Sequence, residues 1–210
     1  IDIMRKEGIK LQNRLVAVAM RTCADVGDVE TMTHILSVWD CEGYTLTSTY
    51  FSNVLMCYAN SDDPYAGKEW EEKVLSYVAD DQSQHHRATN SVWVMYALAK
   101  LAAERGEYSK AREWIDRRLQ MSGYVREEVK QRQRILELEI LAKAALTSYD
   151  RGALEDTLRE YRDLAVKLPP EMLELLQKTL GASEYSIIMS PVQHLDKQLP
   201  SRKWGGRFSH

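Results

Sequence analysis

The sequence predicts an all-α chain, an α-solenoid built from helix-turn-helix hairpins. Three observations carry that expectation. One pattern is written twice: Glu7-Gly8-Ile9-Lys10-Leu11 returns 35 residues on as Glu42-Gly43-Tyr44-Thr45-Leu46, Ala19-Met20 returns as Val54-Leu55, and Ala24 as Ala59. A period in the mid-thirties is the mark of a two-helix repeat, in which each unit buries its apolar side on its neighbours. Apolar residues also recur at helical spacing, as in Met32, Ile35, Leu36 and Trp39. Finally, the 210 residues include only five Pro and ten Gly, so few positions break a helix.

Residues 1–13 read as the end of a hairpin. Met4-Arg5-Lys6-Glu7-Gly8 has cations in a last helical turn and Gly at its stop. Ile1–Gly8 is therefore expected to be the second helix of a preceding unit, and a chain that starts at Ile1 rather than Met to be a processed form or part of a longer protein. The first full repeat is placed at 14–48. Its first helix, 13–24, should bury Leu15, Val16, Ala19, Met20 and Cys23, and a turn over 25–28 leads to a second helix, 29–42. The second repeat is placed at 49–83. Thr47, Ser48 or Thr49 caps its first helix, Val54, Leu55 and Tyr58 face its core, and Pro64 opens its second helix. A polar link over 81–88 follows.

Beyond it the period loosens. A hairpin over 89–124 turns at Arg105-Gly106-Glu107-Tyr108, with Ala111, Trp114, Ile115 and Leu119 on its second stripe. Another, over 126–168, turns at Asp150-Arg151-Gly152 and carries Leu154, Leu158, Tyr161, Ala165 and Leu168. Pro169-Pro170 stops it, and 170–181 reads as a capping helix ended by Gly181. Residues 182–210 lose the periodicity and read as an extended tail.

Composition narrows the function. A formal charge of −3 is not that of a strongly basic nucleic-acid binder. Cys23, Cys41 and Cys57 have no metal-ligand spacing and read as buried thiols of a reducing compartment. No run of about 20 apolar residues suggests a membrane span. His85-His86 beside Asp80-Asp81 lacks a third ligand at useful spacing, so no metal site is assigned. No phosphate loop, nucleophile elbow or carboxylate pair appears. No catalytic residue, cofactor or small-molecule substrate is assigned, and an enzyme is not expected.

The repeated residues resemble the pentatricopeptide repeat family. Met4-Arg5-Lys6-Glu7-Gly8-Ile9-Lys10 is similar to a repeat end, and Ala24-Asp25-Val26-Gly27-Asp28-Val29-Glu30 and Tyr58-Ala59 to repeat middles. The likeness covers 1–80; the pairs over 81–168 look as much like tetratricopeptide hairpins. It implies a right-handed superhelix in which each repeat reads one RNA base through two or three side chains. The first-helix reader then falls on Val18, Asn53 and Ala97, and the paired position at the repeat end on Asn13, Ser48 and Ser83. Asn53 with Ser83 can hydrogen-bond a base edge, whereas Val18 and Ala97 cannot. The resemblance further implies an organellar protein, mitochondrial or alternatively chloroplast, without a membrane. A near-neutral charge and one legible reader pair suit a scaffold subunit of a ribonucleoprotein, best a mitochondrial ribosome, contacting rRNA and neighbouring proteins. The alternatives are an RNA processing or editing factor and a tetratricopeptide-like, protein-only adaptor.

Two basic clusters complete the candidates. Arg126, Lys130 and Arg134 share a helix face able to grip phosphates, although pairing with Glu127, Glu128 and Glu137 favours a solvated face, as for Arg117-Arg118. In the tail, Arg202, Lys203, Trp204 and Arg207 form a Gly-flanked patch suited to docking on RNA or protein.

Overall fold

The computed structural model describes residues 6–7, 12–42, 47–80, 82, 85–121, 127–164 and 168–196. Among the described residues there is helix and no strand. Contacts divide the chain into two compact units, 1–150 and 151–210, a division that falls inside the array the sequence runs to 181.

The first unit opens with α1 (Asn13–Val26), which buries Val16, Met20, Cys23 and Ala24. It stops at Gly27, whose φ of 73° is the left-handed conformation that glycine adopts at least cost. The turn is shorter than the expected 25–28 and holds only Gly27 and Asp28. Asp28 caps α2 (Val29–Glu42), its carboxylate accepting from the Thr31 N–H at 3.0 Å. That contact holds the Asp28 carboxyl below its ordinary value. Met32, Ile35, Leu36 and Val38 are buried.

Helix α3 (Ser48–Asn60) is capped by the Thr47 hydroxyl, which accepts from the Tyr50 N–H. It is the most enclosed helix of the first two hairpins, with Tyr50, Phe51, Val54, Leu55, Cys57, Tyr58 and Ala59 buried. Pro64 begins a 3₁₀ turn (Pro64–Gly67) that leads into α4 (Lys68–Ala79). The link beyond holds one helical turn, α5 (His86–Thr89).

Helix α6 (Val92–Glu104), capped by Ser91, buries an Ala- and Leu-rich set: Val94, Met95, Ala97, Leu98, Ala99, Leu101, Ala102 and Ala103. Gly106, again left-handed at φ 71°, ends it. Helix α7 (Tyr108–Met121) packs back with Ala111, Trp114, Ile115 and Arg118 buried. Leu119, expected on that stripe, is instead 42 % exposed. The Trp114-to-Arg118 spacing turns the buried stripe one residue away from it. Helix α8 (Glu127–Thr147) completes the unit.

The hairpins are organised by their first helices. Helix α1 packs along α3, α3 along α6, and α6 along α8. Their C-terminal ends lie side by side, so the four run parallel. The Asn60 amide donates to Ala24 C=O at 2.6 Å, Cys57 Sγ lies 3.5 Å from Cys23 C=O, and Gly106 approaches Ser148 N. At Gly27 the fit is tightest, because an added Cβ would overlap the Asn60 carbonyl. Leu15, expected in the core, is half-exposed. It sits on the opposite side of α1 from the buried Met20 and Ala24.

The second unit contains α9 (Arg151–Asp163) and α10 (Pro170–Asp196). Leu154, Thr157, Leu158 and Tyr161 line one face of α9, at steps of three and four. Two expectations are corrected here. The turn before α9 is Ser148-Tyr149-Asp150, and Arg151 and Gly152 are already helical. After Gly181, which breaks α10 at φ 73° and ψ 165°, residues 182–196 are helical rather than extended. Ile188 and Met189 are buried there and supply the packing that the weak periodicity concealed. Arg151 pairs with Glu155 at 2.8 Å and with Glu184 at 3.5 Å, which links α9 to α10.

Candidate functional site

Parallel stacking makes residues equivalent between layers. With Gly27, Gly106 and Tyr149 as the left-handed stops of α1, α6 and α8, and the 35-residue echo joining α1 to α3, four rows cross the stack. Arg14, Thr49, Trp93 and Leu136 form the row nearest the N-termini. Val18, Asn53, Ala97 and Ile140 form the next, then Arg21, Met56, Lys100 and Lys143, then Asp25, Asn60, Glu104 and Thr147. These positions are spaced i, i+4, i+7 and i+11, and so share one helix face.

The second row is the base-reading row of the sequence-based assignment. Val18 is 59 % exposed, Asn53 is half-buried, Ala97 is fully buried and Ile140 is 6 % exposed. Only Asn53 carries a polar group, and its Nδ2 is buried without a hydrogen-bond partner. Asn13 is exposed at the start of α1, Ser48 is half-buried at the start of α3, and Ser83 lies outside the described residues.

Charge on this face is tied down between layers. Lys100 Nζ donates to Asn60 Oδ1 at 2.6 Å, and Lys143 Nζ donates to Glu104 Oε1. Each lysine reaches from the third row of its own layer to the fourth row of the layer before. Burial pulls the Lys100 ammonium below its ordinary value, while the nearby Glu104 carboxylate opposes that shift.

Two buried ion pairs were not legible as such. Arg105, just past α6, meets Glu71 of α4, donates from Nε to Pro64 C=O at 3.0 Å, and lies over the Tyr65 ring. Arg118 of α7 meets Glu137 of α8, donates to Val92 C=O at 3.2 Å, and lies over the Tyr96 ring. Burial pushes the Glu137 carboxyl up, against the pull of Arg118 and Arg134. Both pairs join residues far apart in sequence, so local charge patterning does not reveal them. Arg118, read from the sequence as part of a solvated basic pair, is buried.

The phosphate-gripping cluster is only partly in view. Arg126 lies outside the described residues, Lys130 is exposed on α8, and Arg134 is half-buried, 3.5 Å from Glu137. Arg202, Lys203, Trp204 and Arg207 also lie outside the described residues. His85 and His86 are engaged by the fold. The His85 ring lies tilted against the Tyr77 ring, 4.9 Å between centroids, and His86 Nδ1 lies 3.3 Å from Tyr77 C=O. Among the described residues, no group of three His, Cys, Asp or Glu is placed to hold a metal, and no helix is long and apolar enough to cross a membrane.

No family model, curated protein or solved structure matches the chain.

Proposed function

We propose that this chain is a helical-repeat scaffold of the pentatricopeptide type, a structural subunit of an organellar ribonucleoprotein. The assembly that suits it best is the mitochondrial ribosome. The observation that carries the reading is the second row of the first-helix face. One amide with an unpartnered N–H, Asn53, stands among Val18, Ala97 and Ile140. That N–H is buried, so a base or a backbone carbonyl can accept from it only where the local packing opens. A single donor does not spell a sequence, because discrimination needs paired side chains in successive repeats. The lysines of the next row are already engaged with the layer before, which leaves the face little free charge for gripping a phosphate chain in the absence of other contacts. The chain contributes shape and rigid spacing, and the surrounding assembly contributes most of the affinity.

The test is fractionation of an organelle extract with the endogenous protein detected immunologically. Co-sedimentation with ribosomal particles through high salt, and ultraviolet crosslinks to rRNA that include α3, are expected. Migration as a free protein in every fraction overturns the ribosomal reading.

A protein-only adaptor is the second reading, and Trp93 and Leu136 favour it. They are equivalent residues of α6 and α8, 62 % and 46 % exposed, and form an apolar strip at the edge of the same face. Particle association without any RNA crosslink selects this reading.

A further inference from the structure

Helix α10 turns on a residue with no side chain. Gly181 sits at φ 73° and ψ 165° between helical neighbours, a backbone region that glycine enters freely and other residues hardly at all. Crowding is not the reason for glycine here. Gly181 is exposed, and an added Cβ would meet nothing within 4 Å. What requires it is the bend, and the bend decides what is buried. Ahead of it, Met172 and Leu176 are buried one turn apart, on a single stripe. In an unbroken helix Ile188 and Met189 would lie about 160° and about 100° round from Met172, off that stripe. In the bent chain both are buried.

We propose that residues 182–196 are a strap that swings about Gly181 between this bent position and one in which 170–196 is a single straight helix. A hinge needs an element-terminal residue that absorbs a large change of φ and ψ. Gly181 is such a residue, because glycine accepts both the bent angles and the helical ones. The bent position is held by the burial of Ile188 and Met189, and by Glu184, whose carboxylate lies 3.5 Å from the Arg151 guanidinium. That ion pair is exposed, and such a pair is a weak restraint. Ala182, Ser183, Ser186 and Ile187 of the strap are exposed. Straightening gives up the ion pair and the two buried side chains and gains an uninterrupted run of helix. It uncovers Ile188 and Met189 together, beside the already exposed Ile187. The strap is therefore a gate over an apolar patch. The inference concerns the second unit alone and stands apart from the RNA reading.

The experiment is alkylation of an Ile188→Cys variant of the full chain, read by the mass of the peptide that carries position 188. Met189→Cys repeats it at the neighbouring buried position. The new thiol should react through a local opening, at a rate that stays flat in urea well below the unfolding midpoint. A rate that climbs with urea from the start, as global unfolding does, overturns the proposal. So does a thiol that reacts as fast in the folded chain as in the denatured one, since the strap is then never closed. Gly181→Ala tests the joint itself. Alanine favours the helix and resists the bent angles, so in that background the thiol should react at least about tenfold faster, with far-UV helicity kept or raised. A thiol that stays protected there overturns the hinge. Faster reaction with loss of helicity also overturns it, because the strap has then melted rather than swung. Glu184→Gln should speed the reaction a few-fold in the parent and leave it unchanged beside Gly181→Ala. An equal effect in both backgrounds contradicts a straight state without the ion pair.

Discussion

At the scale of single residues, the left-handed positions separate two reasons for glycine. Gly27 is constrained both by its φ of 73° and by the Asn60 carbonyl against it, whereas Tyr149 holds φ 56° with a side chain that is 84 % exposed. Gly27→Ala is expected to cost at least about 2 kcal/mol, the left-handed penalty plus the overlap, and Tyr149→Gly to gain up to about 1 kcal/mol. Urea titration of the two variants checks both signs. The Arg118–Glu137 pair makes a sharper prediction. Glu137→Ala should cost about 3–5 kcal/mol because it strands a buried guanidinium, while the Arg118→Met, Glu137→Leu double variant should cost less than either single one. The pair also shapes the pH profile. The folded-state value of Glu137 lies above that of the same carboxyl in the unfolded chain, because burial disfavours its charge. Between those values the folded chain keeps a proton that the unfolded chain has released. The carboxyl therefore makes stability fall as pH rises through that window, with no further change above it. Glu137→Gln should remove that slope, as measured by midpoints at a series of acid pH values.

At the scale of elements, the junction of α1, α3 and α6 turns on Asn60. Its amide satisfies a carbonyl at the end of α1 and its oxygen receives Lys100. Lys100→Met removes one bond, at about 1 kcal/mol. Asn60→Ala removes two and should cost about twice that, and the double variant should cost measurably less than the sum because both changes break the same bond. Thermal melts of the three variants close the cycle. These helices were largely legible in the sequence, since Thr47, Gly27 and Gly106 act locally, although α6 starts at Val92 behind the Ser91 cap rather than at the expected 89. A cap needs a hydroxyl within three residues, and a left-handed stop needs only glycine. The role of Asn60 was not legible, because a residue that reads as turn chemistry is assigned to the turn. Its partners lie 36 and 40 residues away. For the same reason Glu137 reads as surface charge. Whether a carboxylate is buried is decided by an arginine that only the folded chain brings near. The candidate reader Asn53 was found by its spacing, but its unpartnered amide belongs to the packed neighbourhood and not to the motif.

At the scale of the whole molecule, the first helices of the first unit pack in succession, α1 on α3, α3 on α6 and α6 on α8, so stability is passed along the stack. Residues 1–150 produced alone should retain their helicity and unfold in one cooperative transition, as followed by circular dichroism. Loss of that transition would show that the second unit is needed to fold the first. The all-helical class and the hairpin order were readable from periodicity. The division at residue 150 was not, because Leu154, Leu158 and Tyr161 continue the same spacing across it.

The contact between Cys57 Sγ and the end of α1 also has a kinetic meaning. Burial, with Cys23 and Asp28 nearby, raises the Cys57 thiol to about 12, so at neutral pH about one molecule in 10⁵ carries the thiolate that reacts. Modification must then wait for α1 to part from α3. The rate at which Cys57 is alkylated is therefore a built-in clock for the breathing of the first two layers. It needs no introduced cysteine.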